Sequence, residues 1–144
     1  MERGSLVYGL IVFVHILAAF GWFGLSLRLQ ALAKLAVTDS VANAGKKATV
    51  GMTAMAILLW AGGFVGMLVG GGFASYGATY HTSVTLILIL VGVQVFGIGR
   101  AWNGYAAGTT PGKRVQMWIG IGHLLWFVTL ILMLWPQYFA PALG

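Results

Sequence analysis

LVYGLIVFVHILAAFGWFGLSL, residues 6–27, decides the fold. No Asp, Glu, Lys or Arg interrupts it, and at 1.5 Å of rise per residue it crosses the roughly 30 Å hydrocarbon core of a bilayer as a helix. It is longer than the apolar region of a leader peptide and no cleavage signal follows, so it reads as a retained helix. The residue out of place is His15, because an imidazole in hydrocarbon needs partners for its ring nitrogens.

Three further stretches have spanning length, at about residues 50–71, 82–101 and 115–135. The expected fold is therefore all-α: a four-transmembrane-helix bundle forming a single integral membrane domain over residues 1–144. Composition agrees. Charged residues are 7% of the chain and hydrophobic residues 60%, whereas a water-soluble domain carries roughly a quarter charged residues. The mean hydropathy is +0.93, and 22 glycines suit helices that pack closely in lipid.

The connectors set the expected orientation. Arg28, Lys34, Lys46 and Lys47 flank the first connector, and Arg100, Lys113 and Arg114 flank the third. Four spans put these connectors on one side, and basic loops favour the cytoplasm, so both termini and the uncharged 70–80 connector are expected outside. Only Arg3, beside Glu2, departs from this pattern. Bases spread between apolar runs indicate a lipid bilayer as partner and no nucleic acid. Asn103-Gly104 and Thr109-Thr110-Pro111-Gly112 both read as turn signals before the fourth span. Trp22, Trp102, Trp118, Trp135, Tyr8, Tyr76, Tyr80, Tyr105 and Tyr138 fall mostly toward segment ends, as in an interfacial aromatic belt.

The absence of Cys excludes thiol catalysis and Cys-held clusters, and the only carboxylates, Glu2 and Asp39, lie outside the spans. Hydrolysis by a carboxylate-oriented histidine has no support here. What remains is imidazole chemistry. His15 lies roughly 13 Å from the outer end of the first span and His123 roughly 18 Å from the outer end of the fourth, so the two could meet at similar depth. Trp22 shares a helical face with His15, and Trp126 shares one with His123, so rings and small residues could form a slot for a flat cofactor. Ordinary helix packing accounts for the same residues. His81, at the start of the third span, is either a solvent-facing histidine or a further ligand above that pair. Gly62, Gly66 and Gly70 mark a close helix contact, and Gln94 is expected to hydrogen-bond across the bundle.

The stretch from His15 to Gly24 resembles the first helix of a group of small bacterial membrane proteins that includes the copper-resistance D domain and the HemJ-like protoporphyrinogen oxidases. Tyr80-His81-Thr82-Ser83-Val84-Thr85-Leu86 is similar to the HemJ-like aromatic-His-x-Lys-Leu region, but Ser83 stands where the Lys would be, which removes a functional residue from the oxidase reading. The resemblance implies a multi-pass protein of the bacterial cytoplasmic (inner) membrane with haem b or copper as cofactor. Three functions follow as expectations. The first is a haem b protein of electron transfer or redox chemistry, including a haem-dependent oxidoreductase working with a redox protein or quinone, with His15, His123 and His81 as metal ligands and Trp22 and Trp126 beside the cofactor. The second is copper binding or transport. The third is a structural or assembly subunit in a homo-oligomer or larger membrane complex.

Overall fold

A computed structural model describes residues 4–135. Arg3, Glu2 and Tyr138 lie outside the described residues. Four helices are long and apolar enough to cross a membrane: α1 (Leu6–Leu32), α2 (Asp39–Val69), α3 (Ala78–Ala106) and α4 (Gly112–Leu134). Among the described residues there is no strand.

Local chemistry sets the helix ends. The Ser5 hydroxyl accepts from the Tyr8 amide at 3.2 Å, and the Thr38 hydroxyl accepts from the Val41 amide at 3.2 Å. Both satisfy amides that a helix start leaves without partners. Pro111 precedes α4, where its fixed φ and missing N–H are harmless. The turn between α2 and α3 needs Gly71 and Gly72, whose φ values of 113° and 83° are open chiefly to glycine.

The helices outrun the expected spans at the basic end. α1 continues to Leu32, and residues 39–49, assigned to a connector by sequence, are the start of α2 behind the Thr38 cap. At 31 residues α2 is about 46 Å long and projects past the hydrocarbon with Lys46 and Lys47 on it. Asn103 and Gly104, expected in a turn, are still helical; the chain turns only after Ala106, where the Gly104 carbonyl accepts from the amides of Thr109 and Thr110.

The buried stripes follow coiled-coil spacing: Ala18, Trp22, Ser26 and Leu29 on α1, and Val115, Ile119, Gly122, Trp126 and Thr129 on α4. Outside these stripes the spans are apolar and exposed, as at Leu6, Phe13, Phe20 and Leu124, which is the surface of a bundle solvated by lipid.

The two halves of the bundle are packed differently. Toward the basic end the core is tight. Trp22, Leu29, Met52, Ile98 and Ile119 are fully enclosed, and Gly122 leaves room for the Trp22 ring, 2.8 Å from where a Cβ would stand. Trp22 and Trp102 are thus core residues rather than members of an interfacial belt. The basic-end extension of α2 covers Trp102, whose ring presses on Gly45 and whose Nε1 donates to the Ala42 carbonyl at 3.4 Å. Gln94 lies fully buried within a π-helical stretch of α3, Val93–Gly99, and accepts from Trp22 Nε1 at 3.0 Å while its amide donates to the Thr49 carbonyl at 3.4 Å. The expected cross-bundle bond of Gln94 is present, tying α1, α2 and α3 together. The opposite, uncharged end encloses a cavity instead.

Candidate functional site: a histidine-bearing cavity

The cavity has a volume of about 450 Å³ and is walled by all four helices. α1 contributes His15, α2 contributes Gly62, Gly63 and Met67, and α4 contributes Trp126, Thr129 and Met133. Tyr8, Tyr76 and Tyr80 stand at the end away from the basic connectors. There the Tyr8 and Tyr76 hydroxyls meet at 3.0 Å, linking α1 to the α2–α3 turn. The wall is otherwise mostly apolar, the usual character of a small-molecule or cofactor site.

The glycines of α2 explain how His15 reaches this wall. Gly62, Gly66 and Gly70 mark a close helix contact, as their spacing predicts, and the structure puts it inside the bundle against α1: a Cβ on Gly62 would stand 3.1 Å from His15 Cβ, one on Gly66 3.7 Å from Ile11, and Gly70 lies beneath Tyr8. The missing side chains let the His15 ring lie along the α2 backbone, with Cε1 3.2 Å from the place a Gly63 Cβ would take.

His15 Nδ1 is 2.7 Å from the Leu59 carbonyl oxygen. A carbonyl only accepts, so Nδ1 carries the proton and, in the neutral ring, Nε2 is left with its lone pair. Leu59 is the hydrogen-bond partner of His15 among the described residues, and no buried side-chain nitrogen or oxygen there lacks a partner. Nε2 therefore keeps accessible surface and no partner among the described residues, on a ring that lines the cavity. The Leu59 carbonyl thus fixes the tautomer and the angle of the His15 ring.

His123 is held elsewhere. Its Nε2 lies 2.7 Å from Ser26 Oγ, and that hydroxyl donates its proton to the Phe23 carbonyl at 2.6 Å, so Nε2 of His123 is the donor to Ser26. The ring packs 5.1 Å from Phe23 and 6.0 Å from Trp22, and it does not line the cavity. Ser26 is about 16 Å beyond His15 along α1, whereas two imidazoles on one metal place their nitrogens only about 4 Å apart. The two histidines are not at similar depth. His123 sits one residue off the buried stripe of α4, at the flank of the α1–α4 contact.

His81 is exposed at the start of α3 and donates from Nε2 to the Phe73 carbonyl at 3.0 Å, away from the cavity. Of the two tryptophans expected beside a cofactor, Trp126 lines the cavity, donating to the Ala19 carbonyl at 3.1 Å and stacking 4.8 Å from Phe23. Trp22 is sealed in the core below. Among the described residues no group of three or more His, Cys, Asp or Glu side chains comes together.

Thr129, Met133, Leu59 and the three tyrosines were not singled out for a site by sequence. Thr129 and Met133 follow Trp126 at steps of three and four, so the buried stripe carried their signal, but taking His123 as the centre of the face rotated it by one residue. The Leu59 contribution is a backbone carbonyl, which no side-chain pattern reveals. No family model, curated protein or solved structure matches the chain.

Proposed function

We propose that this chain is a haem b protein of the membrane, serving electron transfer or redox chemistry, in which His15 is the iron ligand. The observation that carries this reading is the Nδ1–Leu59 hydrogen bond, which leaves Nε2 without a protein partner on a mid-span histidine that lines an apolar cavity of about 450 Å³. Such a volume lies in the usual range for cofactor sites, roughly 300–1,000 Å³. The resemblance of the His15–Gly24 stretch to the HemJ-like and copper-resistance D group supports it.

A haem in this cavity would be held by one histidine and not by two, because His123 is committed to Ser26 about 16 Å farther along α1. Leu59 would orient the His15 ring, Trp126 and the Gly62–Gly63 backbone would bound the flat face, and Met67 and Met133 are the soft donors in the same wall. Bound haem supplies one-electron exchange at the iron, and burial with ligand choice sets its potential. The cytoplasmic placement of the basic connectors, with both termini outside, belongs to the same reading.

Copper is the second reading, favoured by one imidazole nitrogen and two thioethers lining one cavity, a donor set suited to Cu(I). An absorption spectrum of protein purified from haem-supplied cells, with metal analysis of the same sample, separates the two. A Soret band with iron near one per chain supports haem. Copper without a Soret band supports the second reading, and neither metal sinks both in favour of an assembly subunit.

A further inference from the structure

We infer that the cavity is entered sideways, from the lipid, through a gap between α1 and α4, so that its occupant is a membrane-dissolved amphiphile rather than a solute arriving from water. Among the described residues, the hydrogen-bond and ring contacts between α1 and α4 cluster at residues 19–26 of α1: Trp126 to Ala19, His123 to Ser26, and Phe23 against Trp126 and Phe127. Trp126 is thus the sill. Beyond it, toward the uncharged end, the helices are separated by the cavity, with Val12, His15 and Ile16 on one side and Thr129, Leu130 and Met133 on the other.

The lips of this gap belong to two surfaces at once. Ile16 and Phe20 on α1, and Leu130 and Leu134 on α4, line the cavity, yet they are 46%, 61%, 37% and 37% exposed, unlike the enclosed residues of the tight core. α1 is held instead by its long contact with α2, so a parted α1–α4 seam does not unmoor it. In a bilayer those exposed side chains touch acyl chains, and the cavity is continuous with hydrocarbon. At the aqueous end, by contrast, the Tyr8–Tyr76 hydroxyl contact bridges α1 and the α2–α3 turn. An apolar wall with tyrosine hydroxyls at one end and one acceptor nitrogen within suits a molecule with an apolar body and a polar end, lying as lipids lie.

The inference rests on the cavity being the occupied site, and only its second probe rests on the haem reading. The chain is reconstituted with a phospholipid carrying a photoactivatable group on its acyl chain, and adducts are mapped by mass spectrometry. Adducts are expected inside the cavity on Met67 and Thr129 as well as on outward-facing Leu124. Ile16→Trp and Leu130→Trp, on opposite lips, should each cut the Met67 and Thr129 adducts by about tenfold or more while Leu124 adducts persist, showing insertion, and thermal unfolding matches the parent, showing a folded bundle. Haem transfer from vesicles, followed by the Soret band, should slow by a similar factor of about ten in both variants. Absence of adducts at Met67 and Thr129 in the parent chain, or adducts indifferent to both substitutions, overturns the inference. No haem uptake with the adduct pattern intact removes the haem reading and leaves lateral entry standing.

Discussion

His15 donates from Nδ1 to the Leu59 carbonyl across 2.7 Å, and this single bond between α1 and α2 determines which ring nitrogen meets the cavity. Leu59 offers a carbonyl in mid-helix, and the glycines that follow it allow the imidazole close enough to use it. Metal-ligating histidines rely on such a partner to fix tautomer and ring angle.

Gly62 is where that approach is tightest. Gly62→Leu places a side chain where His15 Cβ is 3.1 Å from the first carbon, and should lower stability by about 1–3 kcal/mol and displace His15. Gly120→Leu, where an added Cβ meets nothing within 4 Å, should leave stability within about 0.5 kcal/mol. Thermal unfolding in detergent compares the two, and equal effects would contradict the packing described.

The buried Gln94–Trp22 bond predicts a coupling. Gln94→Leu leaves the Trp22 indole N–H without its acceptor and should cost about 1–3 kcal/mol. Trp22→Phe alone leaves Gln94 short of a donor, and the double variant should recover about 0.5–1.5 kcal/mol of the summed losses. Strict additivity in the double-mutant cycle would show that the bond does not hold α1 to α3.

His123 offers a test of which histidine matters. Its partner Ser26 already donates to the Phe23 carbonyl, so His123→Phe leaves no hydroxyl proton stranded and should cost only about 1 kcal/mol. Haem content should stay at the parent level. Loss of haem in this variant at unchanged helicity would reinstate His123 as a ligand.

Orientation can be read because the chain has no Cys. Ala74→Cys, exposed in the turn between α2 and α3, should react with a membrane-impermeant maleimide on intact cells. Ala107→Cys, exposed after α3 at the basic end, should react only after lysis. The reverse pattern would place both termini in the cytoplasm.

The four spans were legible because hydrocarbon imposes a length and an apolar composition that each stretch meets on its own. The Gly62–Gly66–Gly70 contact and the cross-bundle bond of Gln94 were legible for a related reason, since small and polar residues inside a span have few places to go. The extent of α2 was not: residues 39–49 are too polar to count as a span, yet Thr38 caps them into helix, and this extension turns Trp102 from an apparent belt residue into core. The lining of the cavity was legible only in part. His15 and Trp126 lie on the buried stripes of their helices and reach the cavity, whereas the relative level of α1 and α4 depends on contacts such as Trp126 to Ala19 that no single helix encodes. Counting inward from the helix ends therefore paired His15 with His123, while the packed bundle sets Thr129, Leu130 and Met133 across the cavity from His15.

The most direct measurement is the oxidised and reduced absorption spectrum of His15→Ala beside the parent chain and His123→Phe, all purified from haem-supplied cells at matched helicity. The account predicts a Soret band in the parent and in His123→Phe, its loss in His15→Ala, and partial recovery when imidazole is added to His15→Ala to occupy the vacated ligand position. A parent chain without a Soret band, or a His15→Ala variant that keeps the parent's spectrum, would contradict it.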